Sequence, residues 1–418
     1  MAKRYFPIKT ETSCQLKWNW STLYLNGGDT ASCHRTTFTK LTPENFNNFH
    51  NLPEKIADRE AMLDGKWPSP NCSYCKDIED QNGVSDRIRQ FSVPDLVPPE
   101  LEQDPNATTV TPQILEVYFN NFCNLGCLYC SPYLSSTIEK ENKKHGEFKQ
   151  EGIHLYQTTT IERKAKNFIP LFWEWFPEGF PKLKRLQIAG GEPLLQKESD
   201  KLLDMIEQYP NKQCEVSVIT NLMLPEKRLE DYINKVKKLI ASRKIKRFDI
   251  TCSIDCWGPE GQYVRYGLDL DRWQRNFERL LKEPWLTINI NQTVSVLTVK
   301  TMPALLKKLK EWRKQHAVGQ WFSEVSPGPE YMKLKMFGNQ GEFDQAIKEI
   351  AELLPQETEQ DKLSFDYMKD IFASAMTHEL DQKQINNLIV YLNEKDRRRN
   401  TNWRLLFPWL EKYEKAKY

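Results

Sequence analysis

Three cysteines lie within the eight-residue stretch CNLGCLYC. Cys123, Cys127 and Cys130 follow an apolar run that predicts a strand, so the thiols belong to the loop after it. Clustered thiols in a reducing compartment indicate metal or redox chemistry more often than disulfides. A structural zinc site usually takes four protein ligands, so three thiolates on one tight loop leave a position open. The spacing therefore favours a [4Fe–4S] cluster with one iron free for a small ligand.

Four more cysteines precede this loop, and three follow it. Cys14, Cys33 and the pair Cys72-x2-Cys75 lie in the first hundred residues and could form a second metal site. Two separated pairs suit a four-cysteine zinc ribbon as well as an iron–sulfur cluster, and the Cys-x2-Cys pair alone does not decide between them. Cys214 begins a predicted strand, where we expect a small core residue.

The elements that must position these thiols alternate regularly after residue 112. Apolar runs predict six strands, at 113–120, 183–190, 214–221, 246–255, 286–296 and 320–326. Amphipathic stretches predict helices near 158–176, 197–208, 225–242, 270–283 and 301–315. Strands alternating with helices indicate a parallel sheet, and six strands are too few for a closed eight-stranded barrel. We therefore predict an α/β fold with an open, partial barrel.

The two ends of the chain differ from this central part. Residues 1–105 predict a small domain of short strands and irregular structure, with a Gly-Gly turn at 27–28, and a Pro-rich acidic linker lies near 93–112. The barrel is expected over 106–335, and apolar residues at helical spacing predict a C-terminal helical segment over 336–418. The basic stretch KDRRRNTNWR (395–404) predicts a helix end with solvated arginines.

The cysteine loop resembles the signature of the radical S-adenosylmethionine (SAM) enzymes, including the aromatic Tyr129 before the third cysteine. The resemblance implies a partial (βα)6 barrel, in which SAM is the fourth ligand of the cluster through its amino and carboxylate groups. It also implies reductive cleavage of SAM to methionine and a 5′-deoxyadenosyl radical, which abstracts a hydrogen atom from substrate.

Further motifs at the ends of the later strands support this resemblance. AGGEPLL (189–195) resembles the family's GGE motif, in which glycines allow close backbone approach and the glutamate accepts an ammonium group. Because the carboxyl ends of parallel strands meet at one rim, polar groups there should converge on a ligand. The resemblance implies these SAM contacts: Tyr129, Gly190, Gly191, Glu192, Asn221, Ser253, Asp255, Arg265 and Val294.

Their expected roles differ. Glu192 would accept the SAM ammonium group, and Arg265 would pair with the SAM carboxylate. Asn221, Ser253 and Asp255 are expected at the ribose or carboxylate, and Val294 against the adenine.

The first two cysteines also resemble a known pattern. Cys14 is followed by thirteen residues, Gly28, four residues and Cys33. This resembles the opening of the twitch and SPASM auxiliary-cluster domains, where a β-hairpin presents both cysteines; here the module precedes the barrel. The resemblance implies one auxiliary [4Fe–4S] cluster on Cys14, Cys33, Cys72 and Cys75, with a four-cysteine zinc site as the alternative.

One later cysteine has a candidate role in the reaction. Cys256 follows Asp255 at the end of the fourth predicted strand. Some radical SAM peptide epimerases use a thiol to return a hydrogen atom to a carbon radical, and Cys256 is a candidate for this role. The alternative is a buried residue that fills space.

Composition restricts the partners. The net charge is +2 with both signs well mixed, which argues against nucleic acid as a partner. The N-terminal residues MAKRYFPIKTETSC contain no signal-peptide h-region, and no apolar run is long enough to span a bilayer, so a cytoplasmic location is expected.

The sequence thus predicts a radical SAM enzyme with two [4Fe–4S] clusters, supplied with electrons by flavodoxin or ferredoxin. Related auxiliary modules often belong to enzymes that crosslink, oxidise or epimerise peptides, so a peptide substrate is the first expectation. A small-molecule metabolite is the second. A non-catalytic zinc-binding adaptor is the alternative from another class.

Overall fold

The computed structural model describes residues 6–68, 70–80, 83, 85–90, 96–146, 165–325 and 329–414. The start of the helix predicted near 158, residues 93–95 of the predicted linker and the last residue of the strand predicted to end at 326 lie outside these ranges. Among the described residues, no helix has the length and apolar character needed to cross a membrane.

Nine strands are found in the described ranges: β1 (Trp20–Tyr24), β2 (Asp29–Ala31), β3 (Thr39–Lys40), β4 (Ile114–Tyr118), β5 (Arg185–Ala189), β6 (Asn211–Thr220), β7 (Ile245–Ser253), β8 (Thr287–Val294) and β9 (Val318–Glu324). The first eight α-helices are α1 (Gln15–Asn19), α2 (Pro53–Leu63), α3 (Ser73–Asp80), α4 (Asp86–Gln90), α5 (Pro99–Gln103), α6 (Ser136–His145), α7 (Ala165–Gly179) and α8 (Lys197–Gln208). They are followed by α9 (Glu226–Ala241), α10 (Pro259–Val264), α11 (Leu270–Leu280), α12 (Met302–Trp312), α13 (Asp344–Leu353), α14 (Glu359–Met376), α15 (Gln382–Arg399) and α16 (Trp403–Leu406). Short 3-10 helices span Phe46–Asn48, Phe180–Lys182, Pro193–Leu195, Val299–Thr301, Glu330–Met332, Leu334–Phe337 and Pro408–Tyr413.

The predicted fold class is confirmed: the structure is a mixed α/β fold with a parallel sheet and a C-terminal helical part. The six predicted barrel strands correspond to β4–β9. The chain divides into two compact units, which are described in turn. The first contains Met1–Asn120, Glu162–Val218 and Tyr232–Phe248, and the second contains Asn121–Ile161, Ile219–Asp231 and Asp249–Tyr418.

In the first unit the strands are ordered β3-β2-β1-β4-β5-β6. The hairpin of β1 and β2 is antiparallel, but β1 also pairs in parallel with β4, which pairs in parallel with β5. The register aligns Thr22, Glu116 and Gln187 in one row across the three strands. Residues 114–117 of β4 are all buried, so both faces of this strand are covered.

The second unit contains the paired part of β7 with β8 and β9, all parallel. Ile288, Ile290 and Cys252 are buried on one side of these strands, while Asn289 and Asn291 alternate with them on the other. The C-terminal helices belong to this unit, where they contact strands and loops through side chains described below. Several loops at the strand ends carry the predicted site residues.

Candidate functional site

The cysteine loop lies in the second unit and its backbone is held by a neighbouring segment. Gly126 and Leu128 donate their N–H groups to the carbonyl oxygens of Tyr266 and Val264, each at 2.8 Å. The hydroxyl of Ser135, the residue that caps α6, donates to the Leu125 carbonyl at 2.8 Å. These bonds fix the loop conformation independently of any bound group.

The three thiols of the loop are close to one another and sheltered from water. Cys127 is buried, and Cys123 and Cys130 are half-buried. Burial, and then the neighbouring thiols of Cys127 and Cys123, raise the pKa of the Cys130 thiol. Thiolates that repel one another across a sheltered site are stabilised by a bound cation or cluster, and binding releases their protons. Three thiols on one loop therefore fit a cluster with one open position.

Asn221 was predicted as a SAM contact, and its amide lies beside the first cysteine of the loop. Its Nδ2 donates to Asn124 Oδ1 at 2.9 Å and approaches Cys123 Sγ at 3.7 Å. Its Oδ1 accepts from the Met223 N–H at 2.8 Å. The N–H of Leu125 also points at Cys123 Sγ, at 3.4 Å. Asn221 thus sits where it can donate to a thiolate ligand.

The backbone next to Asn221 is strained. Leu222 is fully buried and has a φ of +59°, a conformation that few residues other than glycine adopt. Its N–H donates to Thr220 Oγ1, and its carbonyl accepts from Asn276 Nδ2, both at 2.9 Å. Strain of this kind persists where the surrounding contacts impose it, and it is common at functional sites.

Asp255 and Arg265 pair with each other in a buried bidentate contact. Arg265 Nη2 lies 2.8 Å from Asp255 Oδ1, and Nε lies 3.0 Å from Oδ2. The Tyr129 hydroxyl donates to Oδ2 at 2.7 Å, and the Thr293 N–H donates to Oδ1 at 2.9 Å. Burial opposes the charge on Arg265, but the Asp255 carboxylate raises the pKa of the guanidinium above its ordinary value. Three predicted SAM residues, Tyr129, Asp255 and Arg265, are thus joined in one network.

Two other predicted residues lie at strand ends in the same unit. Ser253 ends β7 and is in register with Asn291 of β8, which is in register with Trp321 of β9. Ser323 Oγ donates to Asn291 Oδ1 at 3.0 Å, and Trp321 is exposed. This row offers hydroxyl, carboxamide and indole groups on one sheet face. Val294 ends β8 and is fully buried.

The GGE motif lies in the first unit and forms a tight turn after β5. Gly190 and Gly191 have φ of +86° and +58°, which favour glycine. A Cβ on Gly190 would be 2.4 Å from the Tyr118 ring, so the turn also requires the smallest residue. Glu192 is fully buried, and its Oε1 accepts from the Leu194 N–H at 3.1 Å. The carboxylate thus caps the 3-10 helix that follows the turn.

The four N-terminal cysteines line one cavity of about 170 Å³ in the first unit. Burial, followed by the neighbouring Cys33, raises the pKa of Cys14 to about 12. Burial also raises the pKa of Cys72 to about 12, with Cys33 adding to the effect. The thiols of Cys14, Cys33 and Cys72 are therefore close enough to influence one another. Cys75 lies on α3 and lines the same cavity.

Cationic and aromatic side chains complete the wall of this cavity. Lys17 is almost fully buried and pairs with Asp58, while Arg35 stacks on Tyr74 with its guanidinium carbon 4.4 Å from the ring centroid. The side chains that share the wall with the thiols include Lys17, Trp20, Arg35, Trp67, Tyr74 and Arg87. Each of the three cations is paired with a carboxylate, Lys17 with Asp58, Arg35 with Asp86 and Arg87 with Glu79. Four thiols in one sheltered cavity with aromatic walls fit the ligand set of an iron–sulfur cluster.

The hairpin of β1 and β2 accounts for the spacing of the first two cysteines. Cys14 caps the start of α1, which leads directly into β1, and Cys33 follows the end of β2. Gly28 in the turn between the strands has a φ of +67°, which explains a glycine at this position of the pattern.

His34, next to Cys33, has its own partner. Its Nε2 lies 2.6 Å from Glu116 Oε2, and that buried carboxylate also accepts from Gln187 Nε2 at 2.7 Å. The Glu116 charge raises the pKa of His34. This ring is therefore engaged with β4.

Cys256 and Cys214 are both fully buried. Burial raises the pKa of the Cys256 thiol above its ordinary value. A Cβ on Gly261 would be 2.9 Å from the Cys256 carbonyl oxygen, so this backbone is tightly packed. Within the described residues, no three His, Cys, Asp or Glu side chains converge closely enough to ligate a single metal ion. In a four-iron cluster each thiolate binds a different iron, so its ligands are spread more widely.

Several side chains near these thiols were not predicted from the sequence. Asn124 and Lys17 belong to no motif. Their side chains pair with residues far along the chain, Asn124 with Asn221 and Lys17 with Asp58, and such pairings leave no local pattern in the sequence. The expectation of solvated arginines near residue 398 is wrong for two of them. The Arg398 and Arg399 side chains are 2% and 3% exposed, because both pack on α6.

Comparison with known proteins identifies the central part of the chain. Residues 117–290 match the model of the radical SAM superfamily. This segment is a radical SAM domain. The domain contains the cysteine loop, the GGE turn and the Asp255–Arg265 pair, and the radical SAM family implies a [4Fe–4S] cluster and SAM.

Curated relatives match at low identity. A probable GTP 3′,8-cyclase of Methanococcus maripaludis strain C5 is 24% identical over 186 residues, which are 44% of this chain and 50% of that protein. The GTP 3′,8-cyclase of Clostridium botulinum strain Hall is 24% identical over 254 residues, covering 60% of this chain and 68% of that protein. The chain thus spans about half the length of the first of these relatives.

Solved structures also resemble the chain. One is Streptococcus suis SuiB bound to precursor peptide SuiA, with a TM-score of 0.37, 14% identity, and coverage of 67% of this chain and 59% of that chain. Another is TYW1 with a lysine-pyruvate adduct, with a TM-score of 0.30, 16% identity, and coverage of 58% and 71% respectively.

Proposed function

We propose that this protein is a radical SAM enzyme that holds a SAM-binding [4Fe–4S] cluster on Cys123, Cys127 and Cys130. The observation that carries the proposal is the loop itself: three sheltered, mutually interacting thiols on a backbone fixed by Tyr266 and Val264, inside a radical SAM domain. With both groups bound, the cluster would supply one electron to SAM, giving methionine and a 5′-deoxyadenosyl radical that would take a hydrogen atom from substrate to form 5′-deoxyadenosine.

The remaining residues are assigned to binding and orientation. Tyr129, Ser253, Asp255, Arg265 and Val294 are proposed SAM contacts. Because Asp255 and Arg265 already satisfy each other, we propose that they act as one rigid unit that presents the Tyr129 ring and backbone to SAM. Gly190, Gly191 and Glu192 keep their proposed role at the SAM amino group, and Asn221 is proposed at the cluster side of the site.

We propose a second cluster in the N-terminal cavity, held by Cys14, Cys33, Cys72 and Cys75. All four thiols line the cavity, and the side chains of Trp20 and Trp67 share its wall. With four cysteine ligands this cluster has no open position, so it would transfer electrons or organise the site without binding substrate. Flavodoxin or ferredoxin is the proposed external electron donor.

A peptide is the proposed substrate. The neighbouring Asn291 and Trp321 support this, because a carboxamide group pairs with a peptide backbone and an exposed indole can hold a side chain. Cys256 stays a proposed hydrogen-atom donor for an epimerisation. A nucleotide is the second candidate, because curated relatives of the chain are GTP 3′,8-cyclases.

The first test is anaerobic reconstitution with iron and sulfide, followed by iron counting and SAM cleavage under dithionite. We expect about eight irons per chain, as two four-iron clusters require. Cys127→Ala should abolish 5′-deoxyadenosine formation. It should still contain about four irons per chain, which belong to the N-terminal cluster. Cys214→Ala, which removes an equally buried thiol outside both sites, should keep the irons and the activity.

Substantial 5′-deoxyadenosine formation by Cys127→Ala would refute the assignment. A colourless protein that contains zinc after anaerobic purification would favour the zinc-binding adaptor. Substrates are distinguished by transfer of deuterium into 5′-deoxyadenosine from labelled peptides or labelled GTP. Transfer from GTP alone would replace the peptide proposal with the nucleotide.

A further inference from the structure

The end of helix α15 places a buried arginine against the cysteine loop. Arg399 is 3% exposed, and its Nη2 would lie 3.1 Å from a Cβ on Gly126, between Cys123 and Cys127. The guanidinium carbon lies 4.5 Å from the centroid of the Tyr266 ring. The cation is thus enclosed between this ring and the loop backbone.

Its hydrogen-bonding capacity is only partly used. Arg399 Nε donates to Glu141 Oε2 at 2.7 Å, but Nη1 and Nη2 are buried and make no hydrogen bond to any described residue. Buried donors without acceptors are costly, and native proteins usually supply a partner. The two terminal nitrogens therefore indicate a partner that is an acceptor.

The charge around Arg399 is also unbalanced. Two carboxylates, Glu141 and Glu394, pair with four cations of this helix end, which are Lys395, Arg397, Arg398 and Arg399. Cysteine thiolates give a bound iron–sulfur cluster negative charge, and reduction adds to it. Such a cluster at the loop would balance this excess.

We propose that Arg399 tunes the cluster on the cysteine loop: its buried charge and free terminal N–H groups stabilise the reduced cluster and so ease the electron transfer that starts SAM cleavage. This inference rests on the proposed function. It makes the C-terminal helix part of the redox site. It also suits a glycine at position 126, because a Cβ there would crowd the guanidinium.

A purely structural role for Arg399 would be to hold α15 on the loop. Tyr391, from the same helix, already does this, because its hydroxyl donates to the Leu128 carbonyl at 2.6 Å. Arg397 provides a matched control. It lies two residues away, is 59% exposed and pairs with Glu394, so water screens its charge.

The test is the midpoint potential of the SAM-responsive cluster in the reconstituted full chain, measured by EPR-monitored redox titration. The signal that changes on addition of SAM separates this cluster from the N-terminal one. Arg399→Gln should lower the equilibrium constant for reduction about tenfold, which is about 59 mV for a one-electron couple. Arg399→Lys keeps the charge and should stay near the wild-type potential, as should Arg397→Gln.

Iron content is measured in every variant. Loss of iron from Arg399→Gln but not from Arg399→Lys would also support the inference, because the charge would then be what retains the cluster. An unchanged potential in a fully loaded Arg399→Gln protein, an equal shift in Arg397→Gln, or loss of iron from both Arg399 variants would overturn it. A wild-type protein without a SAM-responsive cluster would instead overturn the proposed function itself.

Discussion

At the scale of single residues, the buried Asp255 carboxylate of the second unit has a partner for each of its oxygen atoms. Asp255 is fully buried and meets Arg265 in a bidentate contact, while Tyr129 and the Thr293 N–H occupy its remaining lone pairs. A buried ion pair contributes little net stability relative to apolar residues, but removal of one partner leaves an uncompensated charge. This network is therefore a sensitive point of the site.

Asp255→Asn should lower the free energy of unfolding by about 3 kcal/mol, because Arg265 would stay charged and buried without its counter-ion. Denaturant unfolding measures this loss. The exposed pair Glu226–Arg275 is the control, with side chains 65% and 57% exposed. Glu226→Gln should cost less than about 1 kcal/mol. Equal costs for the two variants would contradict the prediction.

Asn221 shows what spacing can and cannot reveal about a residue. Its position at the end of a predicted strand, together with the family resemblance, marked it as a SAM contact. Its placement on Cys123 Sγ depends on the strained turn at Leu222 and on Asn124, which no local pattern encodes.

At the scale of elements, the barrel strands were predictable and the N-terminal unit was less so. The strands β4–β9 alternate or run apolar over five residues or more, which is a local signal. Helix α2 was not predicted, because its buried positions include Lys55 and Arg59 as well as Met62. Charged residues on the inner face hide the apolar periodicity that marks a helix. The parallel pairing of β1 with β4 is a long-range contact and was also missed.

The turn after β5 offers a test of element geometry. Gly190→Ala should lower the free energy of unfolding by about 1–2 kcal/mol, because alanine disfavours the left-handed conformation. The clash of its Cβ with Tyr118 should lower it by a further ~1–3 kcal/mol. That ring cannot move freely, since it stacks on Tyr24 with centroids 4.5 Å apart. Denaturant unfolding measures the total.

The control for this variant is Gly65→Ala. Gly65 has a φ of +72°, and no atom of the described residues lies within 4 Å of a Cβ built there. Gly65→Ala should therefore lower the free energy of unfolding only by the cost of the left-handed conformation, about 1–2 kcal/mol. If Gly190→Ala lowers the free energy of unfolding no more than Gly65→Ala does, the Tyr118 ring moves aside without cost and the predicted clash is wrong.

At the scale of the whole molecule, stability should depend on pH through a buried histidine. Burial, then Arg59 and Lys55, hold the pKa of His50 well below its ordinary value of 6.5. The ring stays neutral in the folded protein but takes up a proton in the unfolded chain. Its contribution is therefore complete above pH 6.5 and is lost as the pH falls from 6.5 towards the folded pKa.

We expect the free energy of unfolding to fall between pH 6.5 and pH 5 with a slope that approaches about 1.4 kcal/mol per pH unit from this residue. His50→Asn removes the titrating group, so its stability should change less over the same range. Unfolding curves of the two proteins at a series of pH values measure the difference. If the free energy of unfolding falls equally with pH in both proteins, His50 does not account for the loss of stability in acid.

The sequence by itself determined the strand and helix alternation, the fold class and the two groups of cysteines. These depend on periodicity and on spacing over a few residues, which short stretches of chain encode directly. Only the tertiary structure brought Asn221 to Cys123, the four N-terminal thiols to one cavity and Arg399 to Gly126. These contacts join residues far apart in the chain, and they exist because the packed core brings distant elements together.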